Sequence, residues 1–283
     1  MKKQQYFLVG GGFLLLILLY FFGNTVPPAK RGKTPAQSAQ HTDNHNLTDE
    51  TILAEYKKGL SPSQSMAITQ LENEVKRGDV KDQQIHTYHQ LARFWSDSVK
   101  AFEPYAIYTG SAAKLENSEK SLTFAARLYL DRLMTAGNPA LQQWLAGNAK
   151  ELFEKALSIN PANDSSKIGL GACYILGNIS SNPMEGILPI RQIVEKNPNN
   201  AYGQMILGLG GKISGQYDKA IERFLIVTKL EPNNLDAIFN LAEVYELKGE
   251  KKTAADWYEK AKQKIDYAEI RQELDKRIIE LRK

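Results

Sequence analysis

The sequence predicts an all-α chain, a solenoid of paired helices preceded by one N-terminal transmembrane helix. Three observations carry that prediction. Residues 201–234 and 235–268 repeat one another at a constant offset of 34. Apolar side chains over the C-terminal part recur at helical spacings of three and four, with no alternating run that would mark a strand. Residues 6–22 form an uncharged stretch in which twelve of seventeen residues are Leu, Ile, Val or Phe.

The N-terminal elements follow from that stretch. Residues 1–5 are a short tail carrying Lys2 and Lys3. As a helix, 6–22 spans about 25 Å, a little short of the ~30 Å hydrocarbon core of a bilayer. Tyr6, Tyr20, Phe21 and Phe22 cover that mismatch at the interfaces. A cleavable signal peptide is the competing reading, but its apolar region is shorter and ends at a small-x-small site. Gly23-Asn24-Thr25 is a poor such site, and no Cys lies near the span to take a lipid. An uncleaved anchor is therefore expected. Lys2 and Lys3 adjoin the span, whereas Lys30, Arg31 and Lys33 lie farther away on its other side. That favours an N-inside orientation, with the rest of the chain on the non-cytoplasmic side. Residues 23–46 are polar, contain Pro and lack periodicity, so they read as a flexible tether.

Beyond the tether, 47–84 reads as N-terminal helices at 48–58 and 62–77. Ser61-Pro62 supplies an N-cap and a Pro at the first helical position, and Gly78 after Lys76-Arg77 supplies a stop. Residues 85–163 read as degenerate repeats. LARFW (91–95) opens a first helix, Ala106, Gly110 and Ala113 mark a second, and SEKSLTFAARLYLDRL (118–133) pairs with AKELFEKALSINP across an inserted AGNPALQQWLAG. Residues 164–200 form a clearer repeat, with Leu170, Gly171 and Tyr174, then Gly186, Ile190 and Ile193 displaced by three residues in the turn-rich NISSNP. In 201–234 and 235–266 the register is strict. Leu207 and Gly208 recur as Leu241 and Ala242, Gly215 as Gly249, and Ala220, Phe224 and Val227 as Ala254, Tyr258 and Ala261. Residues 267–283 form a capping helix with Ile270, Leu274, Ile278 and Leu281 on one stripe, and charge elsewhere closes the apolar end of a stack.

This spacing of small residues, aromatics and a following Pro resembles the tetratricopeptide (TPR) family. The resemblance implies a right-handed superhelix of helix pairs, with a concave groove lined by first-helix positions 2, 5, 9 and 12. In 201–234 these are Tyr202, Met205, Leu209 and Lys212. In 235–266 they are Asp236, Phe239, Glu243 and Glu246, with Asn240 beside them, and in 164–200 they are Ser165, Ile168, Ala172 and Ile175. The family's clamp for a C-terminal carboxylate needs repeated Lys, Arg and Asn at such places, and only Lys212 and Asn240 qualify. An apolar groove for a helix or an extended segment is expected instead.

Composition narrows the function classes. The net charge of +4 comes from residues 1–42, which hold five Lys or Arg and no acid; the rest carries 31 basic against 32 acidic side chains. No basic face is left for nucleic acid. One cysteine, Cys173, makes no internal disulfide and reads as a small core residue. His86 and His89 stand at i, i+3 but lack a completing ligand, so no metal site is expected. Gly211-Lys212 is followed by Ile213, and Ile206 stands where a phosphate loop needs its first Gly. Gly203, Gly210 and Gly211 lie outside the repeat consensus, Gly211 replacing an aromatic; they read either as local packing drift or as backbone opened for close approach. No catalytic set or cofactor motif appears, and no enzyme is expected. The reading is a membrane-anchored scaffold for protein–protein interaction, facing the periplasm from a bacterial inner membrane, in envelope protein assembly or maturation. The alternatives are a recognition arm of a lipid- or glycan-handling enzyme system, or a self-associating structural protein.

Overall fold

The computed structural model describes residues 47–283 apart from 79 and 181. Among the described residues thirteen α-helices follow one another, with no strand. α1 (Asp49–Lys57) and α2 (Pro62–Arg77) lead into α3 (Lys81–Arg93), which widens into a π-helical turn at Phe94–Val99. Then come α4 (Phe102–Glu116), α5 (Glu119–Thr135), α6 (Pro139–Ile159), α7 (Asp164–Leu176) and α8 (Met184–Lys196). α9 (Ala201–Ile213), α10 (Tyr217–Leu230), α11 (Leu235–Leu247), α12 (Lys251–Lys262) and α13 (Ala268–Leu281) complete the array. Among the described residues no helix is long and apolar enough to cross a membrane. The span expected at 6–22 and the tether expected at 23–46 lie outside the described residues.

Local chemistry sets the helix ends. Thr48 and Ser61 open α1 and α2 with capping boxes closed by Thr51 and Gln64, and Pro62 takes the first helical position. Asn163, Asn200 and Asn234 open α7, α9 and α11 alike, each Oδ1 accepting a backbone N–H three residues on at 2.9 Å. Gly215 and Gly249 end α9 and α11 at φ of 73° and 83°, a conformation that side-chain-bearing residues resist.

Two expectations are corrected. The stretch read as an insertion, AGNPALQQWLAG, is mostly helix. Pro139 begins α6 with Asn138 Oδ1 accepting from the N–H groups of Ala140 and Leu141 at 2.9 and 3.1 Å. Pro costs no hydrogen bond at that position, and the extension buries Trp144, Leu145 and Ala146. The boundary placed at 84/85 falls inside α3. The break comes earlier, where Gln84 Nε2 donates to the Gly78 carbonyl at 2.6 Å across the turn.

Apart from α1, which packs on α4, each helix packs mainly on its sequence neighbours, and α5, α7, α9 and α11 also touch the next member of that series. This is the contact pattern of a TPR-like solenoid. Small residues permit the close crossings. A Cβ added at Gly186 of α8 would lie 2.3 Å from the Gly171 carbonyl oxygen of α7, so these helices meet backbone to backbone. In the next pair, a Cβ at Gly208 would lie 2.6 Å from the ring of Phe224, which is fully buried. Leu274, Ile278 and Leu281 seat α13 on the end of the stack, helped by ion pairs of Arg277 with Glu246 and of Lys262 with Asp275 (2.7 Å). Ile270, expected on the same stripe, is exposed, and Ile265 in the preceding turn is buried instead.

At the N-terminal end, polar ties join elements far apart in sequence. Buried Glu103 accepts from Tyr56 Oη at 2.5 Å and from Arg132 Nε and Nη2 at 3.3 and 3.2 Å. Trp144 Nε1 donates to Asp49 Oδ1 at 2.8 Å, fastening α1 to α6.

Candidate protein-binding groove

Spacings of three, four and three place Tyr202, Met205, Leu209 and Lys212 on one stripe of α9. Asp236, Phe239, Asn240 and Glu243 share the corresponding face of α11. Among these eight residues Asp236 and Glu243 are exposed and the other six are half-buried. Their apolar members are rooted in the core. Leu209 packs against both the central cluster and the cluster of Ala220, Phe224 and Leu241, Met205 against the second, and Phe239 against Tyr258 with ring centroids 6.4 Å apart. Tyr202 lies toward α5, with the Arg127 guanidinium 5.6 Å from its ring centroid. Burial holds its phenol well above the ordinary tyrosine range, with Arg127 opposing.

The polar members act on each other. Lys212 Nζ donates to Asn240 Oδ1 at 2.9 Å and forms an ion pair with Glu243, while Asn240 Nδ2 donates to the Asp236 carbonyl at 2.8 Å. Lys212, Asn240 and Glu243 thus tie α9 to α11. The two groups that a carboxylate clamp would need are engaged by their own neighbours. In the preceding repeat, two residues expected in the groove belong to the core, for Ile168 and Ala172 are fully buried. α5 and α9 close over them, with Thr123 Oγ1 and Ser166 Oγ 3.1 Å apart and a Cβ at Gly203 coming 3.5 Å from Ile168 Cδ1.

The family model of the tetratricopeptide repeat matches residues 235–263, the pair α11 and α12. The chain contains a tetratricopeptide repeat. A human relative, interferon-induced protein with tetratricopeptide repeats 2, is 32% identical over 121 residues. That match covers 40% of this chain and 25% of the relative, so this TPR chain matches only about a quarter of the relative's length. Among solved structures, MamA is 20% identical with a TM-score of 0.42, covering 64% of this chain and 91% of that one. MamA 41-end from Desulfovibrio magneticus RS-1 is 21% identical with a TM-score of 0.43, covering 66% and 96%. YrrB, a TPR protein with an unusual peptide-binding site, is 22% identical with a TM-score of 0.41, covering 74% and 98%.

The remaining candidates have ordinary places in the TPR array. Cys173 is buried in α7 with its thiol 3.2 Å from the Gly169 carbonyl oxygen, and burial pushes the thiol pKa up to about 12. His89 Nε2 lies 2.7 Å from Glu116 Oε1, whereas His86 is exposed. Among the described residues no group of three His, Cys, Asp or Glu could hold a metal. Gly208, Gly210 and Gly211 all lie inside α9 and form no loop. The sequence reading missed Gln204, which is 1% exposed. Its Nε2 donates to the Pro198 carbonyl at 2.8 Å and its Oε1 accepts from Arg223 Nη1 at 2.8 Å. A Gln at an otherwise apolar helix position was the available signal.

Proposed function

We propose that this TPR chain is a non-catalytic scaffold that holds a helix or an extended segment of another protein along α9 and α11. The observation that carries this reading is the shared stripe of Tyr202, Met205, Leu209 and Phe239. All four are anchored in the core yet keep apolar surface in solvent, while Lys212, Asn240 and Glu243 satisfy one another beside them. Such a surface rewards an apolar segment more than a free carboxylate. Replacing Met205, Leu209 and Phe239 together by Glu should abolish partner crosslinks formed by the full chain in its native membrane. Helical circular dichroism should persist, and retained crosslinks would move the site elsewhere.

In this proposal the array works outside the cytoplasm at a bacterial inner membrane, in the assembly or maturation of envelope proteins. The support is the uncharged run at 6–22, the adjoining Lys2 and Lys3, and the polar tether at 23–46. Alkaline phosphatase fused to the C-terminus should be active, and an inactive fusion would place the array in the cytoplasm.

A further inference from the structure

Gln204, Leu207, Gly211 and Ser214 stand two residues beyond Tyr202, Met205, Leu209 and Lys212, about 200° around α9 at 3.6 residues per turn. They therefore face away from the groove. On that side a cavity of about 500 Å³ opens between α8, α9 and α10, floored by Gly210 and Gly211. That volume falls within the range of small-ligand sites, roughly 300–1,000 Å³. Its apolar walls include Ile187 and Val194 of α8, Leu207 of α9 and Ile226 of α10.

The repeat register explains why the cavity exists. The eleventh position of the first helix is Tyr174 in the preceding repeat and Tyr245 in the following one. Tyr245 packs against the cluster of Ala220, Ile221 and Phe224 and against the next cluster, containing Ala254 and Tyr258, so it fills the seam between consecutive repeats. At the same position here stands Gly211, and the seam it leaves unfilled is this cavity. A Cβ at Gly211 would lie 3.3 Å from Ala220, so its backbone sits close against α10.

Charge adds a second constraint. Arg191, Lys219 and Arg223 line the opening against Glu195 and Glu222, a surplus of one positive charge. Buried Gln204 holds the Arg223 guanidinium at the wall. Arg191 forms no ion pair among the described residues.

We propose that this slot is a second binding site, which takes a Tyr or Phe side chain flanked by carboxylates, presented by a protein partner. The ring occupies the place that Tyr245 fills one repeat later, the guanidinium groups lie against its face, and the flanking acids pair with Arg191 and Arg223. The site is independent of the groove on the other side of α9.

The test uses the full chain in detergent, isotope-labelled at its methyl groups, and p-cresol as the tyrosine side-chain analogue. Addition of p-cresol should shift the methyl resonances of Ile187, Val194, Leu207 and Ile226 and leave those of Met205 and Leu209 in place. Gly211→Tyr restores the aromatic of the neighbouring repeats and should abolish those shifts without lowering Tm. If that variant does not fold, Ile187→Phe fills the slot from α8 and should abolish them likewise. The triple Glu variant of the groove should keep them. N-acetyl-Glu-Tyr-Glu-amide should bind at least about threefold more tightly than its Lys-Tyr-Lys counterpart at low salt. The proposal is overturned by absent slot shifts, by shifts that persist in the filled and folded variant, or by equal binding of the two peptides.

Discussion

Gly186→Ala tests whether backbone contact between helices, rather than helix propensity, governs the small positions of this array. In a free helix the change would stabilise by about 1 kcal/mol, because Ala loses less backbone entropy than Gly. At Gly186 the new methyl would lie 2.3 Å from the Gly171 carbonyl oxygen and 3.0 Å from that residue's carbonyl carbon and Cα. All three atoms are backbone, so no side chain can swing aside. α7 and α8 must part by about 1 Å before the contact reaches ordinary van der Waals distance. Overpacking costs about 1–3 kcal/mol, and a 2.3 Å contact with rigid backbone belongs to the upper part of that range, about 2–3 kcal/mol. After the propensity gain a net loss of about 1–2 kcal/mol is expected, or roughly 2–8 °C in Tm for an array of this size. Gly147, also inside a helix, has no neighbouring atom within 4 Å of its ideal Cβ. Gly147→Ala should therefore raise Tm by about 2–4 °C. Thermal melts of both variants by far-UV circular dichroism check the pair. A Gly186→Ala protein as stable as the wild type, with Gly147→Ala stabilised as expected, would refute the steric argument.

Cys173 should resist alkylation in the native chain and react within the dead time once denaturant unfolds α7, because burial keeps the thiol protonated; rapid native labelling would contradict this. The phenols of Tyr56 and Tyr258 are pushed up to about 12 from 10.0, first by burial and then by the carboxylates beside them. The folded chain holds these protons more tightly than the unfolded one. Their stabilising contribution is therefore whole below pH 10 and is lost as pH rises toward 12. Denaturant midpoints measured across that window should fall, and Tyr56→Phe should flatten the fall while costing about 1 kcal/mol at neutral pH through the lost hydrogen bond to Glu103.

The 34-residue offset was legible because the same contact recurs at each turn of the stack. Gly171 against Ile190 and Gly208 against Phe224 are one packing rule written twice, and a linear pattern records it. The N-terminal helices at 62–77 were legible for a local reason, the Ser61-Pro62 start. The same local rule was present at Asn138-Pro139 and went unread, which turned the first turns of α6 into an apparent insertion. The caps Asn163, Asn200 and Asn234 follow the repeat too and could have been read from it. What no pattern discloses are contacts between distant segments. Asp49 meets Trp144 across 95 residues, and Tyr56 meets Glu103 across 47, with no periodic trace of either. The shared helix faces of the eight candidate residues were reachable through their helical register, but Ile168 and Ala172 were misplaced because their burial depends on how closely α5 and α9 close over α7.

The contact of Lys212 with Asn240 and Glu243 has a mechanical meaning. It crosses from one repeat to the next, so any flexing that spreads α9 from α11 has to stretch it. Lys212 is half-buried and Glu243 exposed, and a pair so placed is screened by dissolved ions. The share of this joint's stiffness that the ion pair supplies, about 1 kcal/mol or less, therefore shrinks as the ionic strength around it rises.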